Sequence, residues 1–142
     1  MKRFNKIYVE IGNVCNLSCS FCPTLKREKR QMTPNEFGVI CEKIRPYTDY
    51  IYLHLMGEPL LHNELDELLS IAKAQGFKVC ITTNGTLLDK RVDLLTKYAP
   101  PAGRRNTTRK LRSPCTPETI TIRTFPSSGR STATSVSLFW IS

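Results

Sequence analysis

The chain has 142 residues, 21 Lys and Arg against 12 Asp and Glu, a net charge of +9 and 40% apolar residues, which suits one domain and is too apolar for a chain disordered throughout. The charged start Met1-Lys2-Arg3-Phe4-Asn5-Lys6 has no apolar stretch behind it, and no run approaches the ~18 apolar residues of a membrane span, so neither export nor insertion is expected. Six cysteines without a secretory signal point to reduced thiols, used as metal ligands or buried, and to a cytoplasmic protein.

Ile7-Tyr8-Val9-Glu10-Ile11 is a β-rich run ending at Gly12 and predicts a first strand, followed by a loop that carries cysteines. Thr33-Pro34-Asn35-Glu36 combines an N-cap residue, Pro at the first helical position and Glu three after the cap, so a helix should run from there to Pro46. Phe37, Ile40, Cys41 and Ile44 form its apolar stripe. Tyr50-Ile51-Tyr52-Leu53-His54-Leu55 predicts a second strand. Asn63 is placed to cap a second helix whose Leu65, Leu68, Leu69 and Ala72 fall on one face, with Gly76 to end it. Phe77-Lys78-Val79-Cys80-Ile81-Thr82 predicts a third strand. Asp89 is placed to cap a third helix, with Val92, Leu94 and Leu95 apolar, closing near Tyr98-Ala99-Pro100. The order β-α-β-α-β-α implies an α/β fold of parallel strands joined by right-handed crossovers, with helices covering the outer face.

Cys15-Asn16-Leu17-Ser18-Cys19-Ser20-Phe21-Cys22 is a C-x3-C-x2-C cluster in the loop after the first strand. A loop this short can aim three sulfurs at one centre, and thiolate is the ligand that iron-sulfur clusters and zinc both select. Structural zinc wants four closed ligands, usually as two C-x2-C knuckles, and no second pair stands at a suitable distance. A [4Fe-4S] cluster on three thiolates keeps one iron open to a ligand. The bland alternative is three incidental cysteines.

Met56-Gly57-Glu58-Pro59 and Thr82-Thr83-Asn84-Gly85 each follow a predicted strand, as the cysteine loop does. Loops leaving the C-terminal ends of parallel strands share one face, where ligands bind, so the three should converge. Taken singly, Gly-Glu-Pro and Asn-Gly are ordinary turns. Cys41 and Cys80 read as small core residues, His54 and His62 as structural histidines, and Lys26-Arg27-Glu28-Lys29-Arg30 as a solvated loop; Cys115 is assigned nothing.

These residues resemble the radical S-adenosylmethionine (SAM) enzymes. C-x3-C-x2-C is that family's signature, with Asn16 after the first cysteine and the aromatic Phe21 before the third; Met56-Gly57-Glu58-Pro59 looks like its GGEP motif, with Met56 in place of the first glycine, and Thr82-Thr83-Asn84-Gly85 resembles its TNG turn. The resemblance covers roughly residues 5–98 and implies a partial (β/α) barrel, of which this chain supplies three of about six β/α units. It implies that Cys15, Cys19 and Cys22 ligate a [4Fe-4S] cluster and that SAM binds the open iron. Phe21 would lie near the adenine, Gly57 and Glu58 would hold the methionine amino group, and Pro59 and Asn84 would border the same cofactor. The implied reaction is one-electron cleavage of SAM to methionine and a 5'-deoxyadenosyl radical that takes hydrogen from a substrate the sequence leaves open, with electrons from an external donor. No catalytic side chain beyond these is singled out.

Residues 1–98 hold 14 basic and 11 acidic residues, whereas 99–142 hold 7 basic and one acidic, Glu118, with 15 Ser and Thr and 5 Pro and no helical period. The division expected is a β/α domain over 1–98 and an irregular basic tail over 99–142. The abrupt change is what a truncated gene or a shift of reading frame near residue 98 would produce, leaving a fragment without turnover. The other readings are a small zinc-binding module, or a nucleic-acid-binding module using the basic tail; against the latter, the arginines are scattered and Trp140 is alone.

Overall fold

The computed structural model describes residues 3–20, 22–23, 26–53 and 55–98; the tail from residue 99, with Cys115, lies outside them. Three strands, β1 (Ile7–Val9), β2 (Tyr50–Leu53) and β3 (Lys78–Ile81), form one parallel sheet in the order β1-β2-β3. The register sets Ile7 beside Ile51 and Ile51 beside Val79, then Val9 beside Leu53 and Leu53 beside Ile81. These β-branched and aliphatic residues share one face, and helices cover it.

The first helix, α1 (Pro34–Ile44), starts where the sequence says it should. Thr33 is extended, its hydroxyl accepts from the Glu36 N–H, and the Glu36 carboxylate accepts from Thr33 N at 2.8 Å, which completes a capping box. Phe37 and Cys41 are fully buried and Ile40 and Ile44 pack partly against the core. Helix α2 (Leu65–Ala74) buries Leu65, Leu68, Leu69 and Ala72 against α1 and β3, and Gly76 at φ 73° turns the chain out of it. Helix α3 (Leu88–Tyr98) buries Leu95 and Tyr98.

Several expected boundaries move. β1 stops at Val9 because the next residues take a different partner: Met32 N donates to Ile11 O at 2.8 Å, and Gly12 bridges antiparallel to Gln31. The chain thus clasps the returning end of the cysteine loop instead of extending the sheet. β2 ends at Leu53 and β3 at Ile81, both earlier than the apolar runs suggest. Asn63 does not cap α2. The residue before that helix is Glu64, which makes no side-chain cap; its N–H donates to His62 Nδ1 at 3.1 Å, and Asn63 N donates to Gln31 Oε1 at 3.2 Å. Asp89 lies inside the first turn of α3, where its charge still favours the helix N-terminus. Val92 is exposed, and Tyr98 takes a core place instead.

The opposite sheet face is aromatic and basic. Tyr8 and Tyr52 are cross-strand neighbours with ring centroids 5.3 Å apart, and the Lys6 ammonium lies 5.3 and 5.0 Å from the two rings. Among the described residues no helix is long and apolar enough to cross a membrane.

Candidate functional site

All three predicted loops leave the C-terminal ends of their strands, and hydrogen bonds join them at that end of the sheet. After β2 the chain passes through Leu55, which has φ 125°, an uncommon value for a side-chain-bearing residue, and reaches Gly57 at φ 78°. A Cβ on Gly57 would stand 2.6 Å from Gly12 O and 2.8 Å from Val14 O, so only glycine allows the backbone this near the start of the cysteine loop. Glu58 N then donates to Val14 O at 2.8 Å. Pro59–Leu61 form a 3-10 turn that the sequence did not announce, and Pro59 is buried at its start.

Glu58 is 4% exposed, and its carboxylate is the hub of the site. Oε1 accepts from Leu60 N at 3.0 Å and from the Thr83 hydroxyl at 2.6 Å; Oε2 accepts from Asn84 N at 2.6 Å. A carboxylate offers about four lone-pair positions, so one on Oε2 stays available. Thr83 is itself buried and was not singled out from the sequence. Its sequence signal is its place as the Thr of the Thr-Asn-Gly turn, whose Gly85 has φ 81°.

The third loop also reaches the cysteines. The Asn84 side-chain amide donates to Asn16 Oδ1 at 3.0 Å and lies 3.8 Å from Cys15 Sγ, while Asn16 Nδ2 donates to the Thr86 hydroxyl at 2.8 Å. Cys15 and Cys22 are exposed and Cys19 is partly so, within one loop in which Cys22 N donates to Cys19 O at 3.0 Å. The structure therefore brings Cys15, Gly57, Glu58, Pro59 and Asn84 to one end of the sheet. It does not draw the three sulfurs tightly together: among the described residues no three Cys, His, Asp or Glu side chains are gathered as a metal ion requires. Phe21 and His54 lie outside the described residues.

The donor set nonetheless fits an iron-sulfur group in its chemistry. Three solvent-reachable thiols share a short loop whose described residues lie in neither helix nor strand, and N–H donors already address the sulfur of the first. The other two described cysteines are core residues, as expected. Cys41 is fully buried, and burial pushes its thiol up to about 12; Cys80 is 3% exposed on β3. His62 is structural too, with Nε2 2.9 Å from Met32 O. The exposed run 26–30 contributes ion pairs of Arg27 with Glu10 and of Arg30 with Glu36.

The family model described as the radical SAM superfamily matches residues 9–102, from the end of β1 past the end of α3. The chain belongs to the radical SAM superfamily. A GTP 3',8-cyclase of Chlorobaculum tepidum is 37% identical over 101 residues, which is 63% of this chain and 28% of that one. The S-adenosyl-L-methionine-dependent 2-deoxy-scyllo-inosamine dehydrogenase of Niallia circulans is 31% identical over 104 residues, 68% of this chain and 42% of that one. In three dimensions this radical SAM core is similar to the crystal structure of BtrN in complex with AdoMet and 2-DOIA, with TM-score 0.59 and 29% identity over 68% of this chain and 43% of that one. The chain thus spans less than half the length of each of these relatives. Its three parallel strands and three helices are the part of the radical SAM fold that carries the cysteine loop.

Proposed function

We propose that this chain holds a [4Fe-4S] cluster on Cys15, Cys19 and Cys22 and binds SAM beside it, as the cofactor-binding part of a radical SAM enzyme whose substrate is open. When bound, the cluster and SAM supply one-electron cleavage of SAM to methionine and a 5'-deoxyadenosyl radical, with the electron coming from an external donor. The chain's own residues bind and orient. The observation that carries the reading is the Glu58 carboxylate, buried, held on three sides and linked through Asn84 to the cysteine loop.

An ammonium group suits the remaining lone pair on Oε2, because a charge-assisted hydrogen bond at a mostly desolvated carboxylate is strong and directional. Glu58, with Gly57 beside it, would thus hold the amino group of the methionine part of SAM, and the missing side chain of Gly57 lets the cysteine loop come this close. Pro59 fixes the chain after Glu58, Asn84 borders the same space, and Phe21 is assigned to the adenine. Because hydrogen bonds join the three loops at one end of the sheet, SAM held at Glu58 would lie at the same end as the cysteines. Zinc remains the competing reading of the cysteines, and residues 1–98 are taken as the cofactor-binding domain with 99–142 as a separate segment.

Anaerobic reconstitution of the full chain with iron and sulfide, followed by electron paramagnetic resonance of the dithionite-reduced protein, tests this. A cubane signal that changes on adding SAM, and weakens in its SAM response in Glu58→Gln, is expected. One zinc per chain with no iron or sulfide, or a cubane signal indifferent to SAM, would reject it.

A further inference from the structure

Asn84 makes more contacts than a turn residue requires, and their pattern fixes which way its amide points. Thr86 N donates to Asn84 Oδ1 at 3.0 Å and the Thr86 hydroxyl donates to the same atom at 2.7 Å. A backbone N–H can only donate, so this atom is the oxygen and the side chain cannot be flipped. The other atom is therefore the NH2 group, and it is the one 3.0 Å from Asn16 Oδ1 and 3.8 Å from Cys15 Sγ. The backbone beneath it is pinned as well, since Asn84 N donates to the buried Glu58 carboxylate at 2.6 Å. A second N–H, from Leu17, points at the same sulfur at 3.4 Å. Among the described residues no such donor reaches the sulfurs of Cys19 or Cys22.

We infer that Asn84 is a positioning residue for the cluster: it holds Cys15 by an N–H···S hydrogen bond and through it raises the cluster's readiness to accept an electron. The inference rests on the proposed cluster at Cys15, Cys19 and Cys22. An N–H dipole aimed at a ligating sulfur favours whichever state of the cluster carries more negative charge, and hydrogen bonds to the sulfurs are among the factors that set iron-sulfur potentials. Because the donor is locked from three sides by Thr86, Asn16 and Glu58, it is present before any electron arrives and costs little reorganisation when one does. The third-strand loop is thereby tied to the electronic state of the first.

The test is a redox titration of the full chain, reconstituted anaerobically and followed by electron paramagnetic resonance, with Asn84→Ala and Asn84→Asp beside the unsubstituted protein. Asn84→Ala removes the donor without adding charge. At the ambient potential where the unsubstituted cluster is half reduced, its reduced-to-oxidised ratio should fall about three- to tenfold, and further in Asn84→Asp, at equal iron content. Equal ratios at equal iron content overturn the inference while leaving the cluster assignment standing. Failure of both variants to load iron, with native circular dichroism, reduces Asn84 to scaffolding and also overturns it. Should neither variant fold, resonance Raman on the unsubstituted protein decides: an Fe–S(Cys) stretch that shifts in D2O supports the N–H···S bond, and one that does not rejects it. An unsubstituted chain that takes up no iron and sulfide removes both this inference and the function it builds on.

Discussion

At Gly57 a single hydrogen in place of a methyl group lets two loops meet. Its Cβ position lies 2.6 Å from Gly12 O and 2.8 Å from Val14 O, both backbone atoms that cannot swing aside, and its φ is 78°. Gly57→Ala should therefore cost of order 1–3 kcal/mol from backbone strain, plus whatever displacement of the cysteine loop follows. A lower urea midpoint at unchanged m-value is the expected result, with reduced iron uptake; an unaltered midpoint would mean the two loops separate at no cost. The cysteines differ from one another just as sharply. Cys15 and Cys22 are exposed, whereas Cys41 is sealed under α1 with its thiol pushed up to about 12 by burial, and Cys80 is sealed in β3. Thiolate is the reactive form. Brief iodoacetamide treatment of the metal-free native protein at neutral pH, read by peptide mass spectrometry, should label Cys15 and Cys22 and spare Cys41 and Cys80 until denaturant is added. Native labelling of Cys41 would show that the core opens.

At the scale of elements, the capping box makes α1 the helix whose start is most strictly specified. Thr33→Ala removes a hydroxyl that accepts from Glu36 N and should cost about 1 kcal/mol, read from the denaturant midpoint. Glu36 is held below the usual carboxylate range, first by the Thr33 backbone N–H, then by the Thr33 hydroxyl and the Arg30 guanidinium. Its folded value lies below its unfolded one, so the contribution is present above the ordinary value of 4.5 and is lost as pH falls through the folded value. Glu36→Gln should accordingly flatten the acid limb of the stability curve below that pH. The capping box was legible in the sequence because its two partners, Thr33 and Glu36, are three residues apart. The same holds for the apolar faces of α1 and α2 and for Gly76. What could not be read there depends on distant partners. Asn63 looks like a cap, yet its N–H donates to the distant Gln31 and the helix begins one residue later, after Glu64. The strand at Ile7 looks longer than it is because Ile11 pairs with Met32 rather than with a neighbour in the sheet. Residue types and spacing identified the cysteine, Gly-Glu-Pro and Asn-Gly loops, but the roles of Thr83 and Thr86 exist only once the loops are side by side.

For the molecule as a whole, one buried imidazole ties together the parts that shape the site. His62 is 2% exposed; Nε2 reaches Met32 O on the returning end of the cysteine loop, Nδ1 accepts from Glu64 N at the head of α2, and its own carbonyl accepts from Arg91 of α3 at 3.4 Å. Both ring nitrogens are satisfied in the neutral form with the proton on Nε2. Protonating Nδ1 would set one N–H against another. Burial is the main reason that its pKa is lowered from 6.5, and the nearby Arg91 lowers it further; the hydrogen bonds to Met32 and Ile11 and the charge of Glu64 oppose this without cancelling it. With the folded value below the unfolded one, the unfolded chain binds the extra proton. The stabilising contribution is then full above pH 6.5 and declines as pH falls from there toward the folded value, no more steeply than about 1.4 kcal/mol per pH unit. This window opens at pH 6.5, whereas that of Glu36 opens only at 4.5. Urea unfolding at intervals from pH 7.5 to 5 should show stability dropping in the unsubstituted chain, and His62→Gln, which keeps a donor and an acceptor but cannot titrate, should lose that slope while being less stable at pH 7.5. A slope that survives in His62→Gln would assign the titration to another group. A slope that vanishes would assign the loss of stability below pH 6.5 to His62.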